Sequence, residues 1–189
     1  MIGGWTVAAA LQPGGFDSVR ETISALAAAP SAHPGVMTAG LAITGVCHLV
    51  TASGLPVPLA GRALLALGGL GTIAVAALPV TTFGTAHGAA AGVAFVALSV
   101  WPAASWRRGG DGALERRTAL AAAAALTGLF GWFLVELQQL TPTEGELTGL
   151  SERVVAGAQS LWPLVVVALA ARVSRRPQAA RSGEGTAVA

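Results

Sequence analysis

Five long apolar stretches decide what this chain can fold into: residues 35–55, 63–80, 87–106, 118–140 and 154–171, of which only 118–140 holds a charged side chain, Glu136. Each is long enough, as a helix rising about 1.5 Å per residue, to cross a hydrocarbon core about 30 Å thick. The fold class that follows is all-α, a polytopic transmembrane helical bundle. Charged residues make up only 11% of the chain and mean hydropathy is +0.67, values that exclude a soluble globular domain. A sixth apolar segment, residues 1–12, reaches only about 17 Å and lacks the basic start of a signal peptide. Six spans with a short first one are therefore expected, and the short one reads either as a start placed inside the first helix or as a half-span that thins the bilayer. Residues 1–172 form a single bundle domain on this reading, and 173–189, with Pro177, Ser182, Gly183 and Gly185 and no periodicity, form a disordered tail.

All basic residues are Arg, and their placement sets the expected orientation. Arg62, Arg107, Arg108, Arg116, Arg117, Arg172, Arg175, Arg176 and Arg181 fall in alternate connections and the tail, leaving Arg20 and Arg153 on the other side. Retention of Arg on the cytoplasmic side is the strongest topogenic signal in short loops. Loops 56–62 and 107–117 and the C-terminus are thus expected in the cytoplasm, and loops 13–34, 81–86 and 141–153 outside it. Trp101 and Trp106 ahead of Arg107 and Arg108 give the belt-then-basic order of an inner interface. Net charge is only +2 and no basic face is assembled, so nucleic acid is excluded as a partner. The one cysteine, Cys47, precludes an intramolecular disulfide and paired-cysteine metal sites, and His33, His48 and His87 have no metal-ligand spacing. No metal or other cofactor is expected.

Polarity gathers at the expected outer ends of the helices. Ser18-x-x-Glu21 has capping-box spacing and predicts a short outer helix over residues 19–28, with Val19, Ile23, Leu26 and Ala27 on its apolar side. Such a helix lies in the interface or folds over the bundle. Glu136 sits about one turn inside the end of its helix, where an unpaired acid is costly, so it is expected to face the bundle with Arg153 or Gln159 as partner. Glu152, Ala156, Gln159 and Pro163 recur on one face of the last helix. His87, at the start of its helix, can approach the same layer, while His48 reads as an inter-helix contact. Gly88-x-x-x-Gly92 and the cluster Gly68, Gly69 and Gly71 offer small faces for close helix approach, within the chain or to a homo-oligomer or partner membrane protein.

Further marks carry a family resemblance: Gly4-Trp5, Gln12-Pro13, Phe16-Asp17, Thr22-Ile23-Ser24-x-Leu26-Ala27, Met37-x-x-Gly40, Gly61-Arg62, Pro79, His87 with Phe95, Glu152-Arg153, Gly157-x-Gln159 and Trp162-Pro163. In this order, over about residues 1–172, the chain resembles the domain-of-unknown-function family 998. The resemblance implies a six-helix integral membrane protein of bacteria or archaea with no established activity, and its motif positions fall on Thr22, Ser24, Leu26 and His87. The first span is shorter here than in the family.

Three functions compete. In the favoured one Asp17, Arg20, Ser24, His87, Glu136, Arg153, Gln159 and Trp162 line an outward-facing polar pocket for a lipid headgroup or small amphiphile, the partner being membrane lipid. The second is an intramembrane enzyme acting on a lipid or isoprenoid, with Glu136 or Asp17 as general acid/base and His87 as proton shuttle; Ser24, His87 and Asp17 also include the residue types of a hydrolytic triad. The third is a helical partner subunit of a membrane complex. Orientation is checked by reporter fusions: a fusion after Gly110 is expected to be active only with a cytoplasmic reporter, and one after Glu144 only with an exported one.

Overall fold

A computed structural model describes residues 1–184 except 111 and 143, with side chains through residue 171. Seven α-helices follow in chain order among the described residues: α1 Ile2–Ala10, α2 Ile23–Leu26, α3 Pro34–Gly54, α4 Leu59–Ala77, α5 Val80–Ser105, α6 Arg116–Leu137 and α7 Thr148–Glu184, with a 3₁₀ turn at Gly112–Leu114. Five of them are long and apolar enough to cross a membrane, α7 by its stretch Thr148–Ala171. The nine residues of α1 reach about 14 Å along the side of α3.

Proline and arginine set several helix ends. Pro34 opens α3 at its first turn, where the missing N–H costs no hydrogen bond. Arg62, from the first turn of α4, donates from Nε to Ala52 O (2.7 Å) and from Nη2 to Ser53 O (2.8 Å), covering the carbonyls at the end of α3.

Three expected boundaries move. The outer helix is four residues long rather than spanning 19–28, because Asp17 to Glu21 closes a separate turn and Thr22 returns to extended backbone before the helix starts. Its apolar side is buried: Ile23, Leu26 and Ala27 join Met37, Leu41, Val75 and Ala156 in one core cluster, so the element folds over the bundle. Residues 81–86 are no loop but part of α5, which bends at Phe83 (φ −124°, ψ 39°) and continues. Thr and Gly there are compatible with helix once Pro79 fixes the entry. Finally, α7 runs on to Glu184, making 173–184 helical where an irregular tail is expected. Residue type does not signal this extension, since Pro177 and Gly183 within it are poor helix formers. Residues 185–189 lie outside the described residues.

Helices α3, α4, α5, α6 and α7 pack in succession, and α7 touches α3 and α5 as well, which closes a ring. Glycines set its tightest contacts. A Cβ on Gly45 would lie 2.6 Å from Gly69 O, and one on Gly69 would lie 2.7 Å from Gly45 O, so α3 and α4 cross backbone to backbone. Gly68 accepts the Leu98 side chain and Gly71 the backbone at Ala94, seating α5 against α4. By contrast, Gly88 and Gly92 meet nothing within 4 Å. The outward faces carry exposed Ile43, Val46, Val50, Leu67, Leu70, Val96, Leu120, Leu134 and Leu164, an apolar surface suited to lipid rather than water.

Gly69→Ala is expected to destabilise the bundle by about 1–3 kcal/mol through overpacking, whereas Gly88→Ala, open on all sides, is expected to be neutral or slightly stabilising. Thermal melts of the two variants in one detergent test this; equal melting temperatures would refute the crossing as the tight point.

Candidate functional site

At the end of the bundle that holds Asp17, the connection between α1 and α3 lies across the start of α7 and is bound through its backbone. Leu150, in the first turn of α7, donates its N–H to Val19 O (2.9 Å). One Nη of Arg153 donates to Ser18 O (2.9 Å), Glu21 O (2.7 Å) and Gly149 O (2.9 Å), while its guanidinium stands 5.5 Å over the Phe16 ring. Gly149 admits this approach, since a Cβ there would run into the carbonyl of Glu21. Arg153 is thus a clamp on loop carbonyls, not the partner of Glu136.

Glu136, 1% exposed, latches the other connection. Its carboxylate accepts the Leu147 N–H (3.3 Å) and the Trp132 Nε1–H (3.4 Å), and its carbonyl accepts from Thr148 Oγ1 (3.3 Å). A carboxylate near a helix end is satisfied here by a backbone donor of the following loop, a partner no residue-type pattern reveals.

Asp17 and Arg20 face solvent. Asp17 Oδ1 accepts the N–H groups of Val19 (3.0 Å) and Arg20 (3.2 Å), and Glu21 Oε1 accepts the N–H of Asp17 (2.9 Å), so the capping exchange centres on Asp17 rather than Ser18. Arg20 bridges Asp17 (3.3 Å) and Glu146 (3.1 Å). The two backbone donors, then the charge of Arg20, hold the Asp17 carboxyl below its ordinary range, and Glu146 chiefly raises Arg20. A lowered acid stabilises the fold above its unfolded pKa and loses that contribution as pH falls through the lowered value, so this turn is indifferent to pH near neutrality.

Beneath these lies a cavity on the axis of the ring, about 50 Å³, bounded by Ile23 and Ser24 of α2 and by residues of α3, α4, α5 and α7. Its polar lining comprises Ser24, His48, Thr72, Glu152, Gln159 and Ser160, set among Leu41, Val75, Ala94 and Phe95. Glu152, 6% exposed, accepts the Ile23 N–H and so caps α2 from across the fold. Gln159 Nε2 donates to Phe95 O (3.0 Å) and Ser99 Oγ (2.9 Å), fixing the floor. His48 Nδ1 has no hydrogen-bond partner among the described residues.

His87, also buried, stands behind Ser24. Its Nδ1 lies 2.6 Å from Leu78 O and its Nε2 2.9 Å from Ser24 Oγ. A carbonyl can only accept, so Nδ1 carries a proton; in the neutral ring Nε2 is then a bare acceptor, and the Ser24 hydroxyl donates to it. Trp162 belongs elsewhere, packed against Leu55, Leu98, Trp101 and Val166 in the second core cluster, toward the Arg107 end. Of the eight residues expected around one pocket, the structure joins Ser24 to His87 and places Ser24 and Gln159 on the axial cavity. It sets Arg153 and Glu136 to loop binding and Asp17 and Arg20 to the surface. Thr72, Glu152 and Ser160, outside the eight expected residues, also line the cavity, and the recurrence of Glu152 and Gln159 on one helix face is the sequence signal that points there.

A larger recess of about 650 Å³ opens at the Arg107 end, between the ends of α3 and the spanning part of α7, with Arg107 and Arg108 at its mouth. Arg107 there donates to Pro56 O (2.8 Å). Among the described residues no group of three or more His, Cys, Asp or Glu is placed to hold a metal ion.

Fold and site together define an integral membrane protein of the polytopic helical-bundle class. Residues 1–169 match the family described as Protein of unknown function (DUF998), and the chain belongs to that family. No curated protein and no solved structure matches it.

Arg153→Ala is expected to release the segment Phe16–Glu21 and to cost at least about 1.5–3 kcal/mol, the scale of hydrogen bonds to a charged group. Arg20→Ala should leave the melt unchanged. Hydrogen exchange over that segment distinguishes them: faster exchange in both variants, or in neither, would contradict the clamp.

Proposed function

We propose that this protein binds the polar end of a membrane lipid or other small amphiphile in the axial cavity, approached from the extracytoplasmic side. The observation that carries this reading is the convergence of Ser24, Glu152 and Gln159 on one internal space among apolar helices. Polar groups inside a spanning bundle are costly and face one another or a ligand. A space of about 50 Å³ exceeds the ~10–15 Å³ that one water needs, and falls short of the ~300–1,000 Å³ that encloses a whole drug-sized ligand. It suits a single small polar group, such as an ester or hydroxyl, set against the apolar side chains of Leu41, Val75 and Phe95. The arginine distribution supports this orientation, with the Arg107 end read as cytoplasmic. The larger recess there fits ordinary contact of Arg107 and Arg108 with headgroups at the membrane surface.

Filling the cavity tests the reading. Mass spectrometry of lipids extracted from purified protein is expected to find an amphiphile retained by the wild type and lost in Ala91→Phe, with the melting temperature showing that the variant is folded. An identical lipid complement in both proteins would overturn it.

A further inference from the structure

We propose that Ser24 is an acyl-accepting nucleophile with His87 as its general base, acting on the carboxylic ester of an amphiphile. The geometry holds a nucleophile, a base within its reach and a group that orients the base. Ser24 Oγ is 2.9 Å from His87 Nε2, within the reach of a direct proton transfer. The opposite ring nitrogen is held 2.6 Å from Leu78 O, and this carbonyl does what an orienting carboxylate does in a triad: it fixes the ring and the tautomer that leaves Nε2 free to take a proton. Ser24 lines the axial cavity while His87 does not, so the nucleophile stands between its base and the space where an ester would lie.

The backbone around Ser24 is restrained on both sides. The Ile23 N–H is held by Glu152 and the Ala25 N–H by Thr22 Oγ1 (3.3 Å), which keeps the hydroxyl aimed between ring and cavity. Holding the loop alone would not require that the hydroxyl also line a cavity.

The step balances without redox. Ser24 Oγ bonds to the ester carbonyl carbon as its proton passes to His87 Nε2 and the carbonyl electron pair moves onto oxygen. Collapse re-forms the carbonyl and breaks the ester C–O bond, and the leaving alcohol takes the proton from Nε2. Water then attacks the acyl-serine, giving its proton to Nε2, which returns it to Ser24 Oγ as the carboxylic acid leaves. The net change is ester plus water to acid plus alcohol.

This inference takes its substrate class from the cavity reading, and its test separates the two. Full-length protein in detergent is treated with a long-chain alkyl fluorophosphonate, which phosphorylates activated serines, and the modified peptide is mapped by mass spectrometry. Labelling is expected at Ser24, absent in Ser24→Ala and at least about 100-fold slower in His87→Gln, the lower range for a general base. Mapping in the wild type needs no variant, so a misfolded Ser24→Ala leaves the result decisive. Modification of another serine, equal rates in His87→Gln, or no labelling once detergent exchange has removed the amphiphile that the protein retains would overturn the nucleophile while leaving the cavity reading in place. Labelling at Ser24 in protein that retains no amphiphile would uphold the nucleophile and count against the cavity reading alone.

Discussion

The structure depends on one constraint: irregular backbone at the edge of a hydrocarbon core must have its N–H and C=O groups satisfied. The connection between α1 and α3 cannot do this alone, and the first turns of α7 do it instead. Leu150 N–H, the Arg153 guanidinium and the Glu152 carboxylate bind Val19 O, the carbonyls of Ser18 and Glu21, and the Ile23 N–H. Two consecutive residues therefore serve opposite kinds of backbone group, Arg153 donating to carbonyls and Glu152 accepting from an N–H. Gly149 lets the strands of this contact approach, and Phe16 covers the guanidinium.

From this fixed connection the rest of the site takes its position. With α2 pinned, Ile23 and Leu26 enter the core, and Ser24, on the same short turn, is turned toward His87. The bend at Phe83 and the free carbonyl of Leu78, at the junction of α4 and α5, bring the histidine ring to meet it. Below, the glycine crossings of α3, α4 and α5 draw those helices together while α7 closes the ring less tightly, and the cavity is the space that remains. Close packing at one wall and a polar, looser opposite wall are thus two sides of one arrangement.

Much of the architecture was legible along the chain. Five spans were readable because lipid imposes length and apolarity on each helix separately, and Gly68, Gly69 and Gly71 were readable as packing residues because small side chains are needed wherever backbones approach. The candidate site was legible only in part. Ser24 and His87 stand out as types and as family positions, yet they are 63 positions apart in the chain. Glu136 and Arg153, of opposite charge and at a similar depth, suggested a pair; both instead bind backbone, which has no signature in side-chain sequence. The outer helix is shorter than its Ser18-x-x-Glu21 spacing predicts because Asp17, not Ser18, exchanges hydrogen bonds with Glu21 and closes a turn there, while Glu152, distant in sequence, caps the helix where it restarts.

By itself the sequence determined that the chain is a membrane-spanning helical bundle and which faces are small enough to pack closely, since both follow from local composition repeated over a helix length. Only the tertiary structure decided which polar groups meet. Hydrogen bonds of 2.9 Å between Ser24 and His87 and 2.6 Å between His87 and Leu78 depend on the offsets and tilts of separate helices. Those are fixed by packing across the bundle, where a shift of about one helical turn, roughly 5 Å, would break every one of them.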